Sequence, residues 1–360
     1  MNNIKKIGLT ALAGSLVSLG SAVAGEMSVS GSINATLKFG KGGGNTSRTI
    51  GTDRDVKFSG GGELDNGTTF SMTTVLDDVY DVSASTTTIS TPTFGTFSMG
   101  VSTGSASYLY DEEVPVAYEQ ISDSVSNSAN AIGNFMDANY IGYTSPTFEM
   151  MGASITGHLS YSPQASDVGA GDGGQATYNE TYGAGQEAGI TIAYEGLKLG
   201  FYGAERDNEV PYGTADAIQD EFNGAWYVKY SMGPVSIGYS ETYMDAGVTQ
   251  AITSETINTA KVERTAGGLF TGEQMSIAFN VNDNMSISYT TSEDTYDSQD
   301  DAKTAATTDD DVTEEVDALQ IAYSMGGMSI KAYNMEISNP GQDDDAAEQS
   351  VTEIALGFSF

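Results

Sequence analysis

The sequence contains no cysteine, and after residue 24 it has no apolar stretch approaching the roughly 20 residues of a membrane helix. Without cysteine there are no disulfide bonds, so an exported chain must obtain its stability from another source. Basic residues are also scarce, because 14 lysines and arginines stand against 49 acidic residues. Phosphate binding needs clustered basic side chains, so this balance argues against nucleic acid as a partner.

The first 24 residues have the features of a secretory signal peptide. Lys5 and Lys6 give a positively charged start, the apolar run 7–19 is short, and Ala22-Val23-Ala24 provides an A-x-A cleavage site. The alternative for this segment is a buried N-terminal helix. We predict a mature chain of residues 25–360, with 12 basic and 49 acidic residues and a formal charge of −37. Such a charge is tolerated most easily on wet loops or beside water.

A period of two is the strongest pattern in the mature chain. Over residues 27–39, apolar side chains such as Val29 and Ile33 alternate without error with polar ones such as Ser30 and Asn34. A half-buried strand requires this pattern, because successive side chains point to opposite sides. The pattern recurs along the chain and predicts strands at 27–39, 55–64, 68–77, 82–91, 97–104, 137–145, 152–162, 187–195, 197–204, 222–231, 235–243, 273–281, 285–292, 316–324, 328–337 and 350–360.

The connections between these strands alternate in length. Short turns such as Asp65-Asn66-Gly67, Pro146-Thr147, Glu195-Gly196 and Gly233-Pro234 are separated by long, polar, acidic segments. Short turns at one end and long loops at the other are typical of an outer-membrane barrel, whereas a β-sandwich has no reason to sort its loops in this way. We therefore predict an all-β fold, a transmembrane antiparallel β-barrel of about 16 strands.

The last strand ends at the carboxylate of Phe360. Phe358 and Phe360 alternate with Gly357 and Ser359, which places both aromatic rings on the apolar face. An aromatic residue in this position is typical of the boundary between membrane and water. We predict that this is the closing strand of the barrel.

The polar faces of the strands provide candidate pore-lining groups. Basic residues on the wall, facing acidic groups across the lumen, would set a transverse field that orients polar solutes. The only histidine allows an outer-membrane hydrolase as an alternative, but no G-x-S-x-G motif or cysteine accompanies it, so we predict no enzyme activity. The candidates are the basic wall residues Lys38, Arg54 and Lys57 and the lumen-facing residues Asn34, Glu63 and His158.

Two segments resemble the general porins of Gram-negative bacteria. Residues 56–70, VKFSGGGELDNGTTF, are similar to the second hairpin of that family, and residues 94–100, FGTFSMG, are similar to the hairpin that follows it. The terminal Phe360 also matches, and residues 25–31 look most like porins of alphaproteobacteria. The resemblance implies a trimer of 16-stranded barrels in the outer membrane, each a passive diffusion channel for small hydrophilic solutes. It also implies that the third extracellular loop folds into each barrel.

The predicted third loop, residues 104–136, is acidic and contains no lysine or arginine. Where the family commonly has a pore-facing arginine, this chain has Val101-Ser102. A ring of acidic groups favours cations, so we predict a cation-preferring pore; an ordinary solvated surface loop is the alternative. The candidate constriction residues are Asp111, Glu112, Glu113, Glu119 and Asp123.

Runs of aspartate occur in two further predicted external loops. Clustered carboxylates can hold Ca²⁺ or Mg²⁺, so these runs could bind such ions loosely or bridge to lipopolysaccharide; no other cofactor is expected. A channel specific for sugars or amino acids, and a secreted acidic β-structured surface protein, are the remaining alternatives for the whole chain. The aspartates are Asp309, Asp310, Asp311, Asp343, Asp344 and Asp345.

Overall fold

The structure is a computed structural model in which most of the mature chain is described. The predicted signal peptide, residues 1–24, lies outside the described residues. Within the part that is described, no helix has the length and apolar character needed to cross a membrane. The described residues are 26–42, 45–77, 82–101, 105–110, 114–122, 125, 127–133, 139–165, 182–208, 220–245, 257–258, 263–264, 269–297 and 311–360.

Strands make up nearly all of the regular structure in these ranges. Two short 3-10 turns, Ala106–Leu109 and Ser128–Ala131, lie between β5 and β6. The strands are β1 (Glu26–Gly42), β2 (Asn45–Glu63), β3 (Thr69–Leu76), β4 (Val82–Thr91), β5 (Gly95–Val101), β6 (Asn139–Thr144), β7 (Phe148–Met150), β8 (Ala153–Ser162), β9 (Tyr182–Tyr194), β10 (Leu197–Asn208), β11 (Glu221–Met232), β12 (Val235–Asp245), β13 (Ile257–Asn258), β14 (Glu263–Arg264), β15 (Leu269–Asn282), β16 (Met285–Asp297), β17 (Val312–Met325), β18 (Met328–Ser338) and β19 (Gln349–Ser359).

The main sheet closes on itself. Neighbouring strands pair antiparallel around the wall, and β19 pairs with β1 from Ser32 opposite Ser359 to Gly42 opposite Gln349. β6 and β7 both pair with β8 and form one interrupted wall strand, so the seventeen strands of the sheet occupy sixteen positions. The short hairpin of β13 and β14 is separate. The predicted antiparallel barrel of about 16 strands is confirmed.

The predicted turn at Pro146-Thr147 is wrong. The chain continues through Pro146 from β6 into β7 and reverses at Met151 and Gly152, whose φ angles are +53° and +85°. Two positive φ angles match the twist of a tight hairpin. Because proline has no N–H for the ladder, the sheet is interrupted at this point. The side chain of Ser145 accepts a hydrogen bond of 2.9 Å from the N–H of Gly157 across the break.

Side chains alternate between an apolar outside and a polar inside. On β15, Met275 and Ile277 are exposed on the outer face, whereas Gln274 and Ser276 are buried on the inner face. This arrangement is the reverse of a soluble protein, which buries its large apolar side chains. It is the arrangement of a transmembrane barrel, with a lipid-facing apolar band around a polar interior.

The chain end completes the closure. The N–H of Phe360 donates to the carbonyl of Gly31 (3.0 Å), and the N–H of Gly31 donates back to a Phe360 oxygen (2.8 Å). The Phe360 ring lies over Gly31, where a Cβ would come within 2.6 Å of a ring carbon. The rings of Phe358 and Phe360 are both exposed on the outer face. Phe360, one residue beyond β19, is therefore bound to β1 through its main chain.

The two ends of the barrel differ. One end carries short connections such as 195–196, 233–234 and 326–327, and the other end carries long ones such as 163–181 and 246–268. We call them the turn end and the loop end. Phe360 lies at the turn end, because the N–H of the preceding residue donates to the carbonyl of Gly327 (2.9 Å). The predicted alternation of short turns and long loops is therefore present.

Candidate functional site

The described residues between β5 and β6, numbered 105–133, contact the inner wall; we call them the inner segment. Hydrogen bonds link it to side chains on the inner faces of β16 and β17. The N–H of Ala117 donates to Ser288 Oγ (2.9 Å), and the N–H groups of Tyr118 and Glu119 donate to Gln320 Oε1 (2.8 and 3.1 Å). Gln320 Nε2 donates back to the Glu119 carbonyl (2.6 Å). One buried glutamine thus satisfies three main-chain groups of the segment.

Tyr118 connects the inner segment to β19. Its hydroxyl donates to Glu353 Oε1 (2.7 Å), and burial together with this carboxylate raises the pKa of Tyr118, so the hydroxyl stays protonated. Glu353 also accepts from the Tyr333 hydroxyl (3.4 Å) and lies 3.9 Å from Lys38 Nζ. Lys331 Nζ lies 5.1 Å from the centre of the Tyr118 ring. Charges of both signs therefore meet where the segment reaches this wall.

Tyr110 fixes the segment against the opposite side of the wall. Its ring stacks on Tyr202 at 5.3 Å and meets His158 edge-on at 6.0 Å, while its hydroxyl accepts from Thr191 Oγ1 (3.3 Å). Burial raises the pKa of Tyr110 to about 12. The ring lies directly on Gly189, where a Cβ would come within 2.4 Å of it. This position admits only glycine without displacing the ring.

Replacing Gly189 by valine should therefore destabilise the protein. Overpacking of this kind costs about 1–3 kcal/mol, and the lost Tyr110–Tyr202 stack costs about 0.5–1.5 kcal/mol. We expect a lower unfolding temperature in detergent, measured by circular dichroism. Adding Tyr110→Ala should relieve the clash. The control is Gly203→Val, because a Cβ at Gly203 makes only ordinary contacts of 3.6 Å with Phe222. Equal stability of the two valine variants would contradict this packing.

Asp294 joins the inner segment to the connection between β18 and β19. Its two carboxylate oxygens accept from the N–H of Ser128 (2.8 Å) and from the Ser128 hydroxyl (2.5 Å). Gln342 Nε2 donates to the same carboxylate (2.7 Å). The neighbouring Glu314 accepts from the N–H of Gly341 (2.6 Å). Two buried acids therefore hold two different connections in place.

Most of the predicted wall residues lie on the inner face. On β1, Lys38 is opposite Glu353 and Asn34 is opposite Gly357. The pairing of β1 with β2 places Lys57 on the same inner face. Glu63 ends β2 near the first turn and is exposed.

His158 is buried on the inner face of β8, with Nδ1 3.2 Å from Thr144 Oγ1. Its ring also contacts Tyr110. A histidine packed between a threonine hydroxyl and an aromatic ring lines the wall.

The prediction for Arg54 is wrong. Arg54 lies opposite Ile33, so it shares the outer face with Val56 rather than the inner face with Lys57. A regular strand cannot place residues 54 and 57 on one side, because the side-chain period is two. Arg54 is therefore not part of the inner wall.

The acidic residues predicted for the constriction are only partly described. Glu119 lies on the inner segment with its main chain held by Gln320. Asp111, Glu112, Glu113 and Asp123 lie outside the described residues.

The described aspartates of the two runs do not gather into a compact site. Asp343, Asp344 and Asp345 are exposed, and Asp343 accepts from the N–H of Asp345 (3.0 Å) in a local turn. Asp311 is exposed, while Asp309 and Asp310 lie outside the described residues. Among the described residues, no three His, Cys, Asp or Glu side chains gather into a group that could hold a metal ion.

Three lysines that were not among the predicted wall residues also lie on the inner face. Lys198, Lys229 and Lys331 each stand at a polar position within an apolar alternation, so the period of two could have identified them. On the described strands, inward acids outnumber inward bases. The acids are Asp53, Asp55, Glu63, Glu149, Glu187, Glu221, Asp294, Glu314 and Glu353, and the bases are Lys38, Lys57, Lys198, Arg206, Lys229 and Lys331.

Hydroxyl groups dominate the inner face of β3, β4 and β5. Cross-strand pairs bond to each other, as in Ser71 with Thr88 (2.6 Å) and Ser90 with Thr96 (2.8 Å). Hydroxyls both donate and accept hydrogen bonds, so this wall suits water and uncharged polar solutes. The inward hydroxyl residues are Thr69, Ser71, Thr73, Thr86, Thr88, Ser90, Thr96 and Ser98.

Comparison with known proteins gives one family match and many structural matches. The family model described as Gram-negative porin matches residues 8–266 of the chain. No curated protein matches the chain significantly.

Solved structures of similar fold cover nearly the whole chain. The trimer form of in-vitro folded OmpT from Vibrio cholerae aligns with a TM-score of 0.60 and 16% identity over 94% of this chain and 100% of that one. A porin refined at 1.8 Å resolution gives 0.59 and 15% over 93% and 100%. OmpF of Salmonella typhi, in complex with daunomycin, gives 0.63 and 10% over 93% and 97%. At these identities the likeness concerns the fold.

Proposed function

Because the chain belongs to the Gram-negative porin family, we propose that it is an outer-membrane channel for the passive diffusion of small hydrophilic solutes and ions. The observation that carries this proposal is the inverted side-chain pattern of a closed sheet. An apolar outer band suits lipid, and a polar inner wall suits water. The inner segment then narrows the water-filled space by binding to several wall strands from within.

The proposed channel is not an enzyme. The His158 ring lies beside the Thr144 hydroxyl and the Tyr110 ring. Among the contacts of the described residues, no carboxylate or amide orients the His158 ring, as a catalytic His base requires. A pore-lining role accounts for this histidine.

We further propose that the channel is a homotrimer surrounded by outer-membrane lipid and lipopolysaccharide. The similarity to a V. cholerae OmpT that is described in a trimer form supports this assembly. Reconstitution into a planar bilayer tests channel and assembly together. Conductance rising in groups of three equal steps is the expected result. A protein that stays monomeric without detergent and gives no current would contradict both proposals.

We propose that the pore prefers cations. The inward carboxylates outnumber the inward basic groups on the described strands, and acidic rings favour cations. In a potassium chloride gradient, we expect the sign of the reversal potential to show that potassium passes more readily than chloride. Neutralising the inward Asp53 and Asp55 to asparagine should reduce that potential, whereas Glu273→Gln on the outer face should leave it unchanged. A reversal potential of the opposite sign in the wild type would contradict the proposal.

A further inference from the structure

Glu314 is a buried carboxyl group with an incomplete set of hydrogen-bond partners. It lies on the inner face of β17 and is only 1% exposed. Its Oε2 accepts from the N–H of Gly341 (2.6 Å), whereas its Oε1 is buried without a hydrogen-bond partner. An ionised carboxylate in this setting is costly, because its oxygens need donors once water is excluded. A protonated carboxyl group carries no charge and loses far less on burial.

The carboxylate opposite Glu314 also favours its protonated form. Asp294 is directly opposite in the β16–β17 register and is 0% exposed. Asp294 accepts three hydrogen bonds, and hydrogen bonds to a carboxylate favour its ionised form. A like charge nearby disfavours ionisation of the second acid. Glu314 is therefore the member of the pair that is better suited to hold a proton.

The other titratable groups near Glu314 face away from it or lie far along the strands. Tyr296, the next inward residue of β16, packs its ring on Phe270 at 5.0 Å. Glu119 of the inner segment binds Gln320, which is six residues from Glu314 on β17. Among the described residues of β16, β17 and β18, Lys331 is the only lysine or arginine, and it is opposite Ala322, eight residues or roughly 26 Å from Glu314 along β17. The acids on the outer faces of these strands are Glu293, Asp297, Glu315, Asp317 and Glu336, and the exposed acids of the adjoining connections are Asp311, Asp343, Asp344 and Asp345.

The acid pair lies between the apolar band and the loop end. Its outer-face neighbours Glu293 and Glu315 are exposed acids, whereas the apolar outer residues of β17 begin at Leu319. Burial raises the pKa of Glu314 from its ordinary value of 4.5 to about 8, while the N–H of Gly341 lowers this pKa and the charge of Asp294 raises it. At neutral pH, Glu314 therefore holds its proton.

The connection between β18 and β19, residues 339–348, is held against this pair. Gly341 donates to Glu314, and Gln342 Nε2 donates to Asp294 (2.7 Å). Gln342 is buried and has a φ of +53°, a left-handed conformation that residues other than glycine rarely adopt. Such strain persists only where surrounding contacts impose it. The two acids therefore supply contacts that keep the tip of the connection on the inner wall.

We propose that the proton on Glu314 holds the β18–β19 connection against the inner wall, and that loss of this proton to water releases the connection. An ionised Glu314 needs donors for both oxygens, and movement of Gly341 and Gln342 away from the wall would admit the water that supplies them. Gln342 would leave Asp294 in the same movement, so the acid that anchors the inner segment would lose one of its three hydrogen bonds.

Release would also change the charge at the loop end. The connection carries the exposed aspartates Asp343, Asp344 and Asp345, so its movement would redistribute acidic groups at the entrance of the proposed channel. This consequence rests on the proposed channel function, whereas protonation of Glu314 and movement of the connection do not.

The direction of the pH response follows from proton binding. In the released state Glu314 is in water, so the anchored state binds the proton more tightly. Below the ordinary pKa of 4.5, both states hold the proton and anchoring is strongest. Between that pKa and the raised pKa of about 8, only the anchored state holds the proton, so the ratio of anchored to released connection falls about tenfold per pH unit. Above the raised pKa, the ratio no longer depends on this group.

A spin label at residue 344 tests the proposal without using channel activity. The chain has no cysteine and Asp344 is exposed two residues from Gln342, so Asp344→Cys gives a single labelling site. For this labelled protein in lipid vesicles, electron paramagnetic resonance should show the ratio of mobile to immobile label rising about tenfold per pH unit above pH 5 and levelling off above about pH 8. Adding Glu314→Gln keeps an oxygen acceptor for Gly341 but removes the titrating group, so the ratio should become independent of pH. The matched control is Glu315→Gln, which removes the exposed neighbouring acid and should keep the full response.

The outcomes separate this proposal from the proposed channel. A ratio that stays constant from pH 5 to 9 in the labelled protein, or that changes equally after Glu314→Gln, would overturn the role of Glu314. Gel mobility with and without heating verifies that each variant is folded. If Glu314→Gln does not fold, the labelled protein and its Glu315→Gln variant decide, and a response that is lost in Glu315→Gln overturns the proposal. Absence of conductance steps in a planar bilayer would contradict the proposed function and leave the label result unaffected.

Discussion

Replacing Asp294 by alanine should release part of the inner segment, raising both the single-channel conductance and its fluctuation. The carboxylate accepts three hydrogen bonds, two from Ser128 and one from Gln342. Hydrogen bonds to a charged group contribute about 1.5–3 kcal/mol each. Losing the two bonds from Ser128 therefore weakens the anchoring of the inner segment by at least about 3 kcal/mol. That shifts the balance between anchored and released segment roughly a hundredfold toward release. Single-channel recording measures both effects, as a larger mean current and larger current noise.

Two further variants make the result for Asp294 specific. The substitution Asp294→Asn keeps one acceptor and the side-chain shape, so it should give an intermediate increase in noise. Asp317→Ala removes an acid from the outer face, where it accepts from the Tyr289 hydroxyl (2.6 Å), and should leave the current unchanged. Wild-type conductance and noise in Asp294→Ala would show that this carboxylate does not anchor the segment.

Deleting Phe360 should sharply reduce the yield of folded barrel. The deletion removes both main-chain hydrogen bonds between the chain end and Gly31, and it removes the ring that covers that glycine. A main-chain group left without a partner at the membrane costs several kcal/mol, because lipid offers no replacement hydrogen bond. The loss falls on the junction between the first and last strands, so closure of the whole sheet is affected. Refolding yield in detergent, followed by gel mobility with and without heating, measures it.

The conservative variant Phe360→Tyr distinguishes closure from a general effect at the terminus. Tyrosine keeps the main-chain bonds and the ring, and it is also favoured at the membrane boundary, so it should fold nearly as the wild type does. If the deletion folds as well as Phe360→Tyr, the terminal residue does not contribute to closure.

The strands and the barrel could be predicted because their signal is local. A period of two over residues such as 27–39 predicts which side chains share a face of the sheet, and turn-forming residues predict where the strand ends. The same rule would have corrected the error at Arg54, since it lies an odd number of residues from Lys57. The error at Pro146 is different: proline and threonine suit a turn, but pairing with β8 on both sides of the break keeps the chain extended.

The arrangement of the inner segment could not be read from the sequence in the same way. Its hydrogen bonds join residues far apart in the chain, such as Tyr118 with Glu353 at a separation of 235 residues and Ser128 with Asp294 at 166. No local periodicity in the sequence predicts such contacts. The expectation that the third loop folds into the barrel came from the family resemblance alone. The inward residues Lys229 and Lys331 lie between these cases. Their inward direction follows from the alternation, but their proximity to the inner segment requires the three-dimensional fold.

Single-cysteine scanning along β15 tests most directly whether a closed wall separates lipid from water. The chain has no cysteine, so each substitution from Gln274 to Phe279 introduces one labelling site. In lipid vesicles, labels at 275, 277 and 279 should be quenched by a lipid-soluble quencher, and labels at 274, 276 and 278 by a water-soluble one. Water access at every position, or no alternation between the two quenchers, would show that β15 is not part of a membrane-spanning barrel wall.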